Sequence, residues 1–433
     1  MTGFGAPGKG ETFGQEFSSK ESVIPRPRNI LFIHGNYPGQ FRNIASLCGA
    51  DPAFRVAYLT EHDHPNKWQI KGVRVHTYQR RRRAHSGTHM YVRCVEDSVL
   101  TGQAVLRSLH TLLKSGFQPD VVVFHAGSGL GLFLRDLLPK AKLIGYFEWY
   151  FHASTSRYLF AKFELDQQLG VGIRNLPIEH ELLLADHCIV PTQWQFSQFP
   201  LLLQQKLSVL FDGIDTRFFH PRPAGPIAPL HLPLTERTEE LVIEPSDSLL
   251  TYATRGMEPL RGFPEFMRFL PHLLGKNPNL KVVIAGDDRQ AYSYAAPSHE
   301  GSWKRKLMHE LGLFPGSERI FFCGSLPYQR YRELLWRSDL HCYFTRPYVT
   351  SWSLFEAVAC KTPLCINLNG ATELFRDRAH VVVDLDAPSS IQAAAIDQAL
   401  AQPDVLQDVS AEFPVQFRLE SCMSRWRRLL LEA

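Results

Sequence analysis

Cysteine is sparse and scattered in this chain. The eight residues, Cys48, Cys94, Cys188, Cys323, Cys342, Cys360, Cys365 and Cys422, form no C-x-x-C pair and stand in no His-rich ligand spacing, which excludes a disulfide scaffold and the common zinc frameworks. Several fall inside apolar runs such as IFFCG and LHCYF, where a thiol is a small buried hydrophobe in a reducing compartment. Long hydrophobic runs are missing too. Nowhere do about 18 apolar residues stand together, and the opening MTGFGAPGKGETFGQEFSSKES lacks the apolar core of a secretory leader. The expectation is a cytoplasmic protein, with a peripheral contact at the inner membrane face left open. An excess of either charge is also absent, since 47 Lys and Arg face 43 Asp and Glu for a net of +4. So mild a balance gives little support to a nucleic-acid partner.

What is present is enough apolar residue for two cores: 44% of 433 residues are hydrophobic, and two domains of about 200 residues each are expected. Residues 1–27, rich in Gly, Ser and Pro without periodicity, read as a mobile tail. A first domain covers residues 28–220. Residues 221–246 carry Pro221, Pro223, Pro226, Pro229, Pro233 and Pro245 and read as the connection. A second domain covers 247–410, and 411–433 ends in a helix with Arg425, Arg427 and Arg428 opposite its apolar face. Strand-like runs such as NILFIH and VVIAG alternate with helical stretches in both domains. The fold class is therefore α/β, with two doubly wound, Rossmann-like parallel sheets facing a central cleft.

Three stretches concentrate chemistry. In the second domain, the run ending at Phe344 is followed by a polar loop and then by SLFEAVAC, a strand, loop and helix unit. Such a unit aims backbone N–H groups around Thr350 to Leu354 at a crevice where phosphates bind, and puts Glu356 about one turn into the helix, where it could accept from ribose hydroxyls. An ordinary crossover with a solvated Glu has the same pattern. The segment TRGMEPLRGF places Arg255 and Arg261 in the loop leaving the second domain's first strand, where two guanidinium groups can clamp a diphosphate. In the first domain, Gly35 and Gly39 either let the backbone approach a phosphate or sugar, or simply make a turn. The run Arg80 to Arg83 reads as a solvated loop or as a contact with an anionic acceptor or lipid.

In this order and spacing, TRGMEPLRGF, VVIAGDD, IFFCGSLPYQRYRELLWRSDL, SLFEAVACKTPLC, PTQWQ and SVLFDGIDTRFFHP resemble the retaining glycosyltransferases of family 4, enzymes of the GT-B fold, from Asn29 onward. The resemblance implies transfer of a hexose from a nucleoside-diphosphate sugar to a carbohydrate or lipid-linked acceptor, as in polysaccharide biosynthesis, with no cofactor and no required metal. It implies that Arg255 and Arg261 contact the donor diphosphate, that Glu356 binds the ribose, and that Leu326 and Tyr331 lie at the base. The phosphates would be held by backbone groups of Ser351, Trp352, Ser353 and Leu354, with Gly35 and Gly39 opposite. Two departures stand out. The first of the family's paired glutamates falls at Tyr348, whose hydroxyl could serve the donor sugar instead. The family's first-domain His falls in GYFEWYFH, at Glu148, with His152 four residues on. A protein that keeps the fold and binds nucleotide sugar without efficient turnover is the alternative that Tyr348 raises.

Overall fold

The computed structural model describes residues 26–61, 69–236, 238–402, 406 and 412–432; most of the expected N-terminal tail lies outside them. The first domain is built on a seven-stranded sheet: β1 (Arg28–His34), β2 (Phe54–Glu61), β3 (Val73–Tyr78), β4 (Val121–His125), β5 (Lys142–Tyr146), β6 (His187–Val190) and β7 (Leu207–Val209). Their order is β3-β2-β1-β4-β5-β6-β7, parallel throughout. β1 reads as an unbroken apolar run because both of its faces are covered. Ile30 and Phe32 enter one core, Leu31 and Ile33 the other, and the alternation is that of a pleated strand.

The second domain repeats the scheme with β10 (Ser248–Gly256), β11 (Leu280–Asp287), β12 (Ile320–Gly324), β13 (Leu340–Tyr343), β14 (Leu364–Ile366) and β15 (Val381–Val382), in the parallel order β12-β11-β10-β13-β14-β15. In each sheet the order reverses beside the first strand, between β1 and β4 and between β10 and β13. Crevices outside the carboxyl ends of such strands are where doubly wound sheets bind ligands, and here the two crevices share one cleft.

Two features add to the expected organisation. The proline-rich connection carries an antiparallel hairpin, β8 (Leu230–Leu232) and β9 (Leu241–Ile243). Four of its apolar residues, Leu230, Leu232, Leu241 and Ile243, pack with Leu249, Val283 and Ala285 of the second domain, so that part of the connection belongs to that domain's core. The last helix, Leu419–Glu432, returns to the first domain. Its Trp426 indole N–H donates to the Phe211 carbonyl at 3.3 Å, and Arg418 bridges to Ile214. The arginine run stands on the surface, with Arg80 paired to Glu61 and Arg82 to Glu96, in keeping with a solvated loop. Among the described residues no helix is long and apolar enough to cross a membrane.

Candidate functional site

The loop leaving β1 is shaped by its glycine. Gly39 has φ of +49°, and a Cβ there would come within 2.6 Å of the His34 ring, so only glycine lets this loop fold over the strand end. The next residue, Gln40, is thereby brought to His34. The Asn36 N–H donates to His34 Nδ1 at 2.8 Å, which leaves Nε2 to donate to Gln40 Oε1 at 2.6 Å. Gln40 in turn donates from Nε2 to Glu148 Oε1 at 2.8 Å. Burial holds His34 neutral, its pKa pushed down to about 3, and the neighbouring His125 works in the same direction. Burial opposes ionisation of Glu148, yet contacts with His125 and Gln40 outweigh it and hold that carboxyl below its usual range. His125 Nε2 lies 3.4 Å from Glu148 Oε2, close enough for charge but not aligned as a hydrogen bond.

Facing this wall is the second domain, where β10 runs on to Gly256, so that Arg255 stands at the end of the strand and not in the loop after it, while Arg261 ends the short turn Pro259–Arg261 that follows. Arg255 is exposed and donates to the Tyr292 hydroxyl at 3.1 Å. Arg261 is buried, donates to Thr345 Oγ1 at 2.9 Å, and lies 5.3 Å from the Tyr292 ring centre. Tyr292 therefore stands against both guanidinium groups. Beyond them, the helix Trp352–Ala359 begins with Ser351 as its cap. Glu356 is buried, and its carboxyl is pushed up to about 7 by burial, with Arg42 pulling the other way. None of the hydrogen bonds among the described residues reaches that carboxyl. At the cleft floor, Asp212 accepts from Tyr146 at 2.6 Å and from the Trp352 indole of the opposite domain at 2.7 Å. Its pKa is raised to about 7 by burial, against both hydrogen bonds.

Gln40, Glu148, Asp212, Arg255, Arg261 and Glu356 line one cavity of about 510 Å³ between the domains, within the size range of small-ligand sites. Of the residues singled out in the sequence, Gly39, Glu148, Arg255, Arg261, Leu326, Tyr331, Ser351, Trp352, Ser353 and Glu356 line it. Gly35, Leu354 and Tyr348 are not among the lining residues. Leu354 is fully buried, and its N–H already donates to the Ser351 carbonyl. The Ser351 N–H donates to the Tyr343 hydroxyl and the Ser353 N–H to Ser351 Oγ. A phosphate at this helix start would therefore exchange with internal acceptors at Ser351, Ser353 and Leu354, while none of the hydrogen bonds among the described residues is made by the Trp352 N–H. Tyr348, expected to offer its hydroxyl to the donor sugar, packs its ring 5.1 Å from Trp149 and 5.6 Å from Tyr292, with the charges of Glu148 and Arg261 acting on its hydroxyl. Its carbonyl accepts from the Trp194 indole at 2.9 Å. His152 is turned away, its Nε2 at 2.5 Å from the Gln198 carbonyl.

Gln40, Tyr146, Asp212, Tyr292 and Tyr328 also line the cavity and escaped the sequence reading. Gln40 and Asp212 stand in stretches that drew notice, GNYPGQF and SVLFDG, but a lone Gln or Asp in a loop carries no signal of its own. Among the described residues no group of three or more His, Cys, Asp or Glu is arranged to hold a metal ion.

Comparison with known proteins agrees with this geometry. Residues 52–219 match the family model of the Glycosyl transferase family 4 group, and residues 239–412 match that of the Glycosyl transferases group 1. No curated protein is significantly similar in sequence. Among solved structures, the fold is similar to sucrose-phosphate synthase from Thermosynechococcus elongatus, with a TM-score of 0.65 at 13% identity, covering 94% of this chain and 100% of that one. It is also similar to Anabaena Alr3699/HepE in complex with UDP and glucose, with a TM-score of 0.61 at 13% identity over 93% and 99% of the two chains. An E. coli structure described as trehalose-6-phosphate bound with UDP-2-fluoro glucose has a TM-score of 0.60 at 12% identity, over 94% and 99%. With both halves of the chain matched and the two parallel sheets facing one cleft, the protein belongs to the family 4 glycosyltransferases of the GT-B fold.

Proposed function

We propose that the chain is a retaining glycosyltransferase that moves a hexose from a nucleoside-diphosphate sugar to a carbohydrate or lipid-linked acceptor. The observation that carries this reading is the division of one cavity between an arginine pair, Arg255 and Arg261, and a buried carboxyl, Glu356, without a hydrogen-bond partner among the described residues. Ribose hydroxyls would supply the donors that Glu356 lacks, and the two guanidinium groups would neutralise the diphosphate as it leaves. In a front-face displacement the acceptor oxygen forms its bond to the anomeric carbon on the side from which the phosphate departs. The departing phosphate oxygen takes the acceptor proton, so no side-chain base is required. Glu148, held ionised and oriented by Gln40, would sit opposite the phosphates and stabilise positive charge on the sugar ring or bind its hydroxyls. No cofactor or metal enters this scheme, and the acceptor side would be the first domain.

The experiment is a thermal-shift screen against UDP, GDP, ADP and their sugar conjugates, since a ligand of the folded state alone raises the melting temperature. The conjugate that binds is then offered with candidate acceptors, and the anomeric configuration of the product is read by NMR. Retention supports the reading and inversion refutes it. Nucleotide-sugar binding without transfer would favour the binding-protein alternative that Tyr348 raises.

A further inference from the structure

Glu258 lies between the two arginines in the chain and is fully buried; its charge acts on the Arg261 guanidinium, but no cation touches it among the described residues. Its carboxylate is occupied by backbone instead. Oε2 accepts from the N–H groups of Ala291, Tyr292 and Ser293, each at 2.9 Å, and Oε1 lies 3.2 Å from the Tyr292 nitrogen. Three successive N–H groups turned onto one carboxylate form an anion-binding nest whose occupant is the protein's own side chain. The arrangement clasps the loop after β11 onto the loop after β10, and the Met257 N–H to the Asp287 carbonyl at 3.2 Å reinforces it.

What the clasp holds in place is Tyr292. The Tyr292 hydroxyl accepts from Arg255, and its ring lies 5.8 Å from the Arg255 guanidinium and 5.3 Å from that of Arg261. Ser293, the next residue, donates from Oγ to the Tyr158 carbonyl of the first domain at 2.5 Å, so the same loop spans the cleft. An exposed arginine must be held near its bound geometry if it is to meet a phosphate without losing rotamer freedom on binding. Arg255 has no carboxylate partner among the described residues, and Tyr292 is the group to which it donates.

We propose that Glu258 is a positioning residue for the donor site, acting through the clasped 291–293 backbone to set Tyr292 and, through it, Arg255 and Arg261. The proposal rests on the donor reading above. The experiment is titration calorimetry of the full-length parent and Glu258→Gln with UDP and UMP, GDP and GMP, and ADP and AMP. An amide keeps the shape of the carboxylate, but with its oxygen on the three N–H groups it turns its NH2 toward the Tyr292 nitrogen in place of Oε1 and gives up the charge that strengthens these bonds, which loosens the clasp. The diphosphate reaches the arginines, whereas the monophosphate depends more on the Glu356 end of the cavity. Glu258→Gln is therefore expected to weaken diphosphate binding about tenfold while monophosphate binding stays within about twofold. A merely structural role would lower both alike or neither. A parent that binds none of the three diphosphates overturns the donor reading and this proposal with it. A parent that binds one, with an unchanged ratio of diphosphate to monophosphate affinity in Glu258→Gln, overturns this proposal alone. Should Glu258→Gln not fold, Tyr292→Phe reads the same wall from its cavity end, and an unchanged ratio there is equally fatal.

Discussion

Replacing Glu356 by glutamine should stabilise the empty protein and weaken its grip on nucleotide, and the two effects have one cause. The carboxyl is buried, without a hydrogen bond among the described residues, and its pKa rises from 4.5 to about 7. Below pH of about 4.5 both the folded and unfolded chains hold the proton and no penalty exists. Between about 4.5 and 7 only the folded chain holds it, so the contribution of this group to stability falls as pH rises. Above about 7 the folded chain carries the charge and the penalty is complete, on the order of 3 kcal/mol. Protonated Glu and Gln are desolvated alike, so the stability gap between Glu356→Gln and parent should be small at pH 5. It should widen by about 2 kcal/mol by pH 8, or a few degrees in melting temperature for a protein of this size. Asp212 and Glu181, both also raised to about 7 by burial, are common to both proteins and cancel in the difference. The same charge that is costly in the empty protein makes the stronger bond to ribose, so diphosphate affinity at pH 8 should fall about tenfold to a hundredfold. Paired thermal melts from pH 5 to 8 at constant ionic strength, with calorimetric titration of the diphosphate, test both limbs. A gap that does not change with pH would show that the carboxyl is not strained, and an unchanged affinity would remove Glu356 from the nucleotide.

Three further outcomes are expected. Arg261→Ala should reduce turnover by roughly a hundredfold to a thousandfold, the cost of losing one preorganised contact to a leaving group; steady-state rates within a few-fold of parent would take Arg261 out of the chemistry. Tyr348→Phe should leave transfer within about threefold of parent, a difference under about 1 kcal/mol, because the ring keeps its packing against Trp149 and Tyr292; a loss of two orders of magnitude would put the hydroxyl at the donor sugar. Gly39→Ala should destabilise the fold by about 1 to 3 kcal/mol, since it adds a Cβ at positive φ against the His34 ring; it should also impair transfer by displacing Gln40 from Glu148, and a melting temperature and rate equal to the parent's would contradict that account of the loop.

How much was legible in the residues differs between the walls of the cleft. Arg255, Arg261 and Glu356 could be found because each ends a strand, follows one or opens a helix within its own βα unit, and such placement depends on residues only a few positions apart. The two parallel sheets were legible for the same reason, since apolar runs of strand length alternate with helical periodicity in both halves. The opposite wall could not be read that way. Gln40 meets Glu148 across 108 positions and Asp212 meets Trp352 across 140, and these meetings depend on strand order and on the closing of one domain against the other. Tyr292 sits in a loop without periodicity, and its backbone N–H is held by the Glu258 carboxylate 34 positions away. For Tyr348, spacing from Glu356 suggested a place near the donor sugar, whereas its packing against Trp149 and Tyr292 and the hold of Trp194 on its carbonyl come from the other domain or from distant loops and could not be read from spacing. Periodicity, capping and turn chemistry act over a turn of helix or a pair of pleats, so the chain alone decides its elements and the residues at their ends. Which of those ends face one another is decided by long-range packing, and that is where the two walls became one site.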